Sequence, residues 1–281
     1  ENELTGTVPD SLGQLTDLDE LWLGGNDLTG TIPSSINNLR RLESLNVEKN
    51  ELSGSLPFTT GGLTKLVKLW ARGNQITGSL PPSVFATSSL EAIDLGSNDL
   101  TGELPPDFES VPNLEVLDVG DNGLDGTFPE SMVVGTGILS KLYLLSLWGN
   151  DISGTLPRDL GDLGNGGDIG SDSPLRYLYL HQNLFEGTLP ESVGKLSNLE
   201  QLRLENNFFS GAVPPELGQL SKLQSLDISK NSFTGSVNFI CEGDGIGGGG
   251  PSSSLNLFLS DCKDDPPEVE CTCCSACCSD T

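Results

Sequence analysis

An asparagine recurs at a regular interval along most of this chain of 281 residues. The interval is 24 residues up to Asn122, lengthens twice, and then returns to 24. Each asparagine stands in the same pattern, which in one copy reads Leu18-x-x-Leu21-x-Leu23-x-x-Asn26-x-Leu28-x-Gly30-x-Ile32-Pro33. A period of roughly 20 to 50 residues is typical of an array whose repeats stack on one another. We therefore predict one solenoid of about ten repeats over residues 1–240 and a separate C-terminal region over residues 241–281.

The first half of each repeat predicts a short strand with one buried face. Leu21 and Leu23 alternate with outward residues such as Trp22, and strands of this kind stack into a parallel sheet. The asparagine ends each strand facing inward, and a buried amide must be hydrogen-bonded. We predict that its side chain bonds backbone groups of its own turn and the next. This structural ladder comprises Asn26, Asn50, Asn74, Asn98, Asn122, Asn150, Asn183, Asn207 and Asn231.

The second half of each repeat, as in Leu28-Thr29-Gly30-Thr31-Ile32-Pro33, resembles the plant-specific subclass of leucine-rich repeats. Plant receptor-kinase ectodomains and polygalacturonase-inhibiting proteins carry this subclass, and the resemblance covers about residues 1–238. It implies an α/β solenoid, a leucine-rich repeat superhelix with a parallel β-sheet on the concave face and short helical or 3-10 turns on the convex side. It also implies a tight bend at Gly30 and a short second strand starting at Ile32. Pro33 is expected to open a turn of helix over residues 34–39.

The charge balance excludes several classes of partner. Forty acidic residues face 14 basic ones, which gives a net charge of −26. A nucleic-acid-binding protein needs a basic surface, and an anionic membrane would repel this chain. The sequence has no apolar run long enough for a transmembrane segment, and we predict no cofactor and no metal site. Because the chain starts in mid-repeat, we expect a fragment or processed form without its N-terminal cap.

Seven cysteines lie beyond the 24-residue repeats and predict a disulfide-linked C-terminal cap. Residues 257–262 repeat the strand pattern in degenerate form, and the flanking Cys241 and Cys262 could close the Gly/Ser-rich segment before it. Metal binding and lipidation are alternatives, and the odd count leaves one thiol free or paired outside this chain. The ending resembles caps of secreted or cell-surface leucine-rich repeat proteins of diatoms and related algae, which implies the same location here. The disulfide candidates are Cys241, Cys262, Cys271, Cys273, Cys274, Cys277 and Cys278.

Strand residues that point outward line the predicted concave face. One column reads Trp22, Asn46, Trp70, Asp94, Asp118, Ser146, Tyr179, Arg203 and Asp227, and the next reads Gly24, Glu48, Arg72, Gly96, Gly120, Trp148, His181, Glu205 and Ser229. All three tryptophans and the single histidine of the chain fall on this face. Exposed rings concentrated on one face favour a binding surface, although aromatic residues also favour strands for structural reasons.

An acidic centre formed by Asp94 and Asp118, with Asp121 beside them, lies between Trp70 and Trp148. Gly96 and Gly120 border it and are expected to leave room for a ligand near the backbone. Arg72 is expected to form a cation–π pair with a tryptophan or to neutralise an aspartate. The predicted ligand-binding residues are Trp22, Trp70, Arg72, Asp94, Asp118, Asp121, Trp148, Tyr177, Tyr179, His181 and Arg203.

These features predict a non-enzymatic scaffold that recognises a peptide, protein or glycan, in extracellular recognition or receptor-type signalling. Asp94 and Asp118 could approach the spacing of a glycosidase pair, but an open sheet is not expected to raise the pKa of an acid. One alternative is an ice-binding protein that uses the Thr and Ser residues flanking the recurring glycine. Another is an inhibitor of a cell-wall polysaccharide hydrolase.

Two insertions, near residues 133–140 and 163–174, interrupt the repeat before the strands that carry Trp148 and Tyr179. Insertions in repeat proteins map to loops on one side and often contribute to binding. Calcium binding by Asp162, Asp168 and Asp172 is an alternative, although their spacing does not match an EF-hand loop.

Overall fold

The computed structural model describes residues 2–133, 139–164, 173–240, 255–260, 269–271 and 274–277. Within these ranges eleven parallel strands form one long sheet, the concave sheet, and each strand pairs with that of the next repeat. Strands are numbered in chain order. The concave sheet contains β2 (Glu20–Trp22), β4 (Ser44–Asn46), β6 (Lys68–Trp70), β8 (Ala92–Asp94), β10 (Val116–Asp118), β12 (Leu144–Ser146), β14 (Tyr177–Tyr179), β16 (Gln201–Arg203), β18 (Ser225–Asp227), β20 (Leu257–Ser260) and β22 (Ala276–Cys277).

A second strand follows the asparagine of each repeat. In the described part of the chain these strands form one sheet of six and one of five. They are β1 (Thr5–Thr7), β3 (Asp27–Gly30), β5 (Glu51–Gly54), β7 (Gln75–Gly78), β9 (Asp99–Glu103), β11 (Gly123–Asp125), β13 (Ser153–Thr155), β15 (Leu184–Gly187), β17 (Phe208–Ala212), β19 (Ser232–Ser236) and β21 (Val269–Glu270). The prediction that Ile32 starts the second strand is wrong. Strand β3 ends at Gly30, whose φ of 76° turns the chain and sends Ile32 into the core.

Short 3-10 helices return the chain to the next strand on the convex side. The first full repeat shows why they form. Pro33 in extended conformation precedes the helix Ser34–Asn38, and Ile36 and Leu39 pack inward at the helix and its end. The described 3-10 helices are Asp10–Gln14, Ser34–Asn38, Glu130–Met132, Leu160–Asp162, Glu191–Lys195, Pro215–Gln219 and Asn238–Ile240. The predicted architecture is therefore confirmed, with 3-10 helices as the turns.

The core is a narrow column of aliphatic side chains that changes to phenylalanine near the C-terminal end. Phe185, Phe209 and Phe233 occupy one slot in three successive repeats and are almost fully buried. Their ring centroids lie 6.0 and 5.9 Å apart, and the rings are nearly parallel. Each of these repeats therefore packs a large apolar surface against its neighbour.

The recurring asparagines link each repeat to the one before it. Asn98 shows the pattern: its Nδ2 donates to the carbonyls of Leu95 and Gly96 in its own turn and of Ala71 in the preceding repeat. Its Oδ1 accepts from the N–H of Ile76, also in the preceding repeat, at 3.0 Å. The prediction of a bond to the following repeat is therefore wrong, since Asn98 bonds to the preceding repeat. The reason is that the second strand of one repeat lies beside the asparagine turn of the next repeat.

Replacing Asn98 by Ala is expected to lower the free energy of unfolding by about 1–3 kcal/mol, because it leaves buried backbone groups without partners. Denaturant unfolding of the variant and the wild type measures this difference. Asn113→Ala is the matched control. Asn113 donates to the Ser88 carbonyl in an exposed loop, and its loss is expected to cost less than about 0.5 kcal/mol. Equal losses in the two variants would contradict the ladder.

The C-terminal region continues the concave sheet. Strand β20 pairs with β18, and Phe258 is buried in the position of a core leucine. Cys271 and Cys274 form a disulfide, and the Ser260 hydroxyl lies 3.0 Å from the Cys274 sulfur. Of the other candidates, Cys241, Cys262, Cys273, Cys278 and the Cys277 side chain lie outside the described residues. No helix in the described ranges has the length and apolar character that a membrane crossing requires.

Candidate ligand-binding face

The strand register brings six of the eleven predicted binding residues into one column. Trp22 pairs with Asn46, Asn46 with Trp70, and Trp70 with Asp94. The column then continues through Asp118, Ser146, Tyr179, Arg203 and Asp227. Several members are covered by their neighbours, so the face is less open than the sequence suggested. The buried ones are Asn46, Ser146 and Asp227 in this column and His181, Glu205 and Ser229 in the next.

Two tryptophans form a pair at the N-terminal end of the face, the N-terminal ring pair. Trp22 is 56% exposed and meets Trp70 edge-on, with 5.4 Å between ring centroids. The Trp22 indole N–H donates to Glu20 at 3.0 Å. The cation that lies over the Trp70 ring is the ammonium of Lys68, 5.5 Å from the centroid. A cation–π pair with Arg72 is therefore not formed here, because Arg72 is held elsewhere.

Arg72 crosses the sheet to the two aspartates of the acidic centre. Its Nη1 lies 2.8 Å from the carboxylate of Asp118 and 3.6 Å from that of Asp94. Each aspartate also accepts from a backbone N–H two residues further on, that of Gly96 for Asp94 and that of Gly120 for Asp118. Arg72 thus neutralises an aspartate, which was the other expectation for this residue.

Burial, and after it the charge of Asp118, raises the pKa of Asp94 to about 6. The expectation that an open sheet would leave the pKa of its acids unchanged is therefore wrong. The neighbouring side chains make the difference, because they cover the Asp94 carboxyl on the sheet surface.

Gly96 and Gly120 make room for side chains of this chain. A Cβ atom at Gly96 would lie 2.6 Å from the Arg72 guanidinium, and one at Gly120 would overlap the indole of Trp148. Arg72 and Trp148 therefore lean over the glycines from opposite sides. The prediction that these glycines leave space for a ligand is wrong for this conformation.

Five rings form a second cluster, the C-terminal ring cluster, on β12 and β14 and the residues beside them. The centroids of Tyr143 and Tyr177 lie 6.1 Å apart, those of Tyr177 and Tyr179 6.2 Å, and those of Tyr179 and His181 6.3 Å. Trp148 stacks on His181 at 5.3 Å with the ring planes almost parallel. Tyr143 was not among the predicted residues, because the alternation within a strand says nothing about the residue before it. The available signal was that Tyr143 directly precedes the strand β12.

Buried polar groups lie beneath this cluster. Burial, and then the charge of Arg203, lowers the pKa of His181 to about 4, so His181 is neutral at pH 7. Burial raises the pKa of Glu205, and the Arg203 guanidinium contacts one oxygen of that carboxylate. Arg203, a predicted ligand-binding residue, thus contributes to the site by covering and neutralising Glu205.

The remaining predicted positions lie at the margins of the face. Asp121 is exposed and stands in a turn with a φ of 58°. Residues 134–138 and 165–172 of the two insertions lie outside the described part of the chain, and with them Asp168 and Asp172. Asp162 pairs with Lys195 at 3.0 Å. Near the end of the second insertion, the buried hydroxyl of Ser173 donates to the Leu163 carbonyl at 2.8 Å.

The repeats define the family of this chain. One leucine-rich repeat family model matches residues 17–39, 89–111, 113–133 and 141–163, and a second matches residues 173–233. These segments together span more than half of the chain, which therefore belongs to the leucine-rich repeat proteins. Comparison with the curated proteins gives no match.

Among solved structures, the chain is similar to plant receptor ectodomains. The plant peptide hormone receptor RGFR1, in complex with RGF2, has a TM-score of 0.81 and 30% identity, over 92% of this chain and 38% of that one. The ectodomain of the Arabidopsis receptor kinase HAESA, in complex with an N-terminally extended IDA peptide hormone ligand, has a TM-score of 0.72 and 27% identity, over 93% of this chain and 45% of that one. The chain spans about two fifths of the length of such receptor chains.

A plant ice-binding protein is also similar. Its TM-score is 0.71 at 26% identity, over 97% of this chain and 83% of that one. The chain is thus similar to proteins with two different functions. The choice between these functions depends on the side chains at its surface.

Proposed function

We propose that this protein is a non-enzymatic recognition scaffold that binds an extended peptide or protein segment along the concave sheet, at a cell surface or in secreted form. The observation that carries the proposal is the presence of two ring clusters on one face with an acidic centre between them. The similar receptors whose structures contain peptide hormones support the same class of ligand.

The spacing of the two clusters suits an extended chain. Strands β6 and β12 are three steps apart in the sheet, and each step is about 4.8 Å, so Trp70 and Trp148 are separated by roughly 14 Å. An extended peptide advances about 3.3 Å per residue, so about four residues would connect the two anchors. Buried aromatic anchors supply most of the binding energy in many interfaces.

The charges of the acidic centre favour a basic residue in the middle of such a peptide. Asp94 and Asp118 share one guanidinium, that of Arg72, which leaves the group one negative charge in excess at neutral pH. The net charge of −26 would also attract a basic ligand from solution. Arg72 lies between the two carboxyl groups, where a glycosidase substrate would have to lie, which supports binding without catalysis.

A peptide-display experiment tests this proposal. Random peptides of about a dozen residues, which are long enough to reach from one cluster to the other, are displayed and selected for binding to the wild type. Trp70→Ala and Trp148→Ala are each expected to weaken the selected peptides by about 2 kcal/mol, roughly thirtyfold. Phe208→Ala is the control, since this ring is 62% exposed but lies on β17, away from the concave sheet. Peptides that bind both tryptophan variants as tightly as the wild type would refute the concave site.

Ice binding is the second candidate, and a specific surface favours it. Thr127, Thr155 and Thr188 are exposed in three successive repeats. The Thr155 methyl lies 2.9 Å from the position of a Cβ on Gly187, and the Thr188 methyl lies 3.0 Å from that of a Cβ on Gly211. Each methyl therefore packs on the glycine of the next repeat. The resulting surface is regular, although Glu103 and Ala212 interrupt the column. Inhibition of ice recrystallisation by the wild type that is lost in Thr155→Lys and retained in Ser225→Lys, on the concave sheet, would establish this function.

We further propose that residues 1–240 form the recognition solenoid and residues 241–281 its C-terminal cap. Strand β20 and the Cys271–Cys274 disulfide support this division, because both cover the end of the core next to β18 and β19. A disulfide also fits the proposed secreted or cell-surface location.

A further inference from the structure

Three buried polar atoms beneath the C-terminal ring cluster lack hydrogen-bond partners among the described residues. They are the Ser146 Oγ, the His181 Nδ1 and the Glu205 Oε2. Their residues are only 1%, 7% and 6% exposed. Because unpaired buried polar atoms are rare and destabilise a fold, three of them in three adjacent repeats call for an explanation beyond folding.

The three residues lie at or just beyond the ends of three adjacent strands. Ser146 pairs with Tyr179, two residues before His181. The His181 carbonyl accepts from Gly149, directly after Trp148, and the Glu205 carbonyl accepts from Gln182, directly after His181. Ser146, His181 and Glu205 thus extend over β12, β14 and β16, a distance of roughly 10 Å.

Side chains that are themselves partly exposed cover these atoms. The Trp148 indole stacks on the face of the His181 imidazole, and Tyr179 meets its edge. The Arg203 guanidinium contacts the other oxygen of Glu205. A ligand that moves Trp148, Tyr179 and Arg203 aside would approach the unpaired atoms without disturbing the backbone.

We propose that Ser146, His181 and Glu205, together with the rings of Trp148 and Tyr179, form a subsite for a sugar ring. The hydroxyl groups of a sugar both donate and accept hydrogen bonds, so they can satisfy the serine hydroxyl, the imidazole nitrogen and the carboxylate oxygen. The C–H face of the sugar would pack on the indole of Trp148. A mostly apolar wall with a few placed polar groups is the usual composition of such sites.

The charges of the subsite favour a neutral ligand. Arg203 compensates the carboxylate of Glu205, and His181 carries no charge at neutral pH. The acidic centre at Asp94 and Asp118 is therefore the place for a cation, and the sugar subsite shares Trp148, but not this centre, with the proposed peptide site. This inference goes beyond peptide binding and holds whether or not a peptide binds.

Titration with neutral oligosaccharides, followed by tryptophan fluorescence and calorimetry, tests the proposal after a glycan array selects the sugar. Ser146→Ala is expected to lower the affinity about tenfold, the loss of one hydrogen bond, while thermal stability stays the same or rises because an unpaired buried hydroxyl is removed. Ser44→Ala is the matched control. The Ser44 hydroxyl on β4 is also buried and unpaired, but it lies far from the ring cluster, so sugar affinity is expected to stay unchanged.

A second variant separates binding from folding. His181→Phe keeps a ring for Trp148 to stack on and removes the imidazole nitrogens, so it should abolish sugar binding in a folded protein. The same sugar linked to a peptide distinguishes the natural source: tenfold tighter binding of the conjugate indicates a glycosylated ligand, and equal binding indicates a free glycan. The absence of any saccharide that binds, or unchanged affinity in both Ser146→Ala and His181→Phe, would overturn the inference. Peptide binding that persists in that case would leave the concave peptide site intact.

Discussion

Replacing Phe209 by Ala is expected to destabilise the protein by about 3–5 kcal/mol, the largest effect that we predict for a single substitution. Phe209 is fully buried and stacks between Phe185 and Phe233 with centroid distances near 6 Å on both sides. A repeat protein is stabilised by interfaces between neighbours, so a cavity at this position weakens two interfaces at once. Urea unfolding measured by circular dichroism gives the difference in free energy.

The adjacent Phe208 is the control for this experiment. It has the same side chain, one residue away, but points outward and is 62% exposed. Phe208→Ala is expected to change the stability by less than about 0.5 kcal/mol. A comparable loss in both variants would show that the stacked phenylalanines do not hold the C-terminal repeats together.

The wild type is expected to show little pH dependence of stability from Asp94 and His181 together, because their contributions oppose each other between about pH 4 and pH 6.5. The folded pKa of Asp94 is about 6, above the usual value of roughly 3.9. Asp94 therefore lowers stability as the pH rises through this range. The folded pKa of His181 is about 4, below the usual value of roughly 6.5. His181 therefore lowers stability as the pH falls through the same range.

Single substitutions should reveal each contribution. In Asp94→Asn only the histidine effect remains, so acidification from pH 7 to pH 4 should cost about 2 kcal/mol more than in the wild type, after allowance for partial exposure. In His181→Phe only the aspartate effect remains, and the same acidification should cost about 2 kcal/mol less. Denaturant unfolding at the two pH values measures both. The same change in unfolding free energy between the two pH values in all three proteins would show that each group has the same pKa in the folded and the unfolded chain.

The fold was predictable because every repeat carries the same pattern of apolar residues, asparagine, glycine and proline. The pattern around Asn26 recurs in successive repeats, so one interpretation of its strand, its asparagine and its proline is tested many times within one chain. The errors were local. Ile32 was placed in a strand that ends at Gly30, because the pattern shows which residues are apolar but not where the backbone turns.

The candidate site was predictable only as a set of positions. The alternation of residues placed Trp70, Asp94 and Asp118 on one face correctly, and the register places them in order along the sheet. Their contacts depend on rotamers, which the pattern does not contain. The sequence could not show that Arg72 leans over Gly96 or that Trp148 covers Gly120 and stacks on His181. Burial of polar residues such as Ser146 follows from those contacts and was missed for the same reason.

The backward bonding of the asparagines gives the solenoid a direction. Each asparagine accepts from a backbone N–H of the repeat before it, as Asn98 does from Ile76 and Asn122 from Leu100. Cutting the array after any repeat therefore leaves the new last repeat with an N–H that has lost its acceptor. Cutting before a repeat leaves the asparagine oxygen of the new first repeat as a spare acceptor, while its Nδ2 keeps the two carbonyls of its own turn as partners. Because unpaired N–H groups are tolerated less well than spare acceptors, shortening this protein from its N-terminal side should do less harm than shortening it from its C-terminal side.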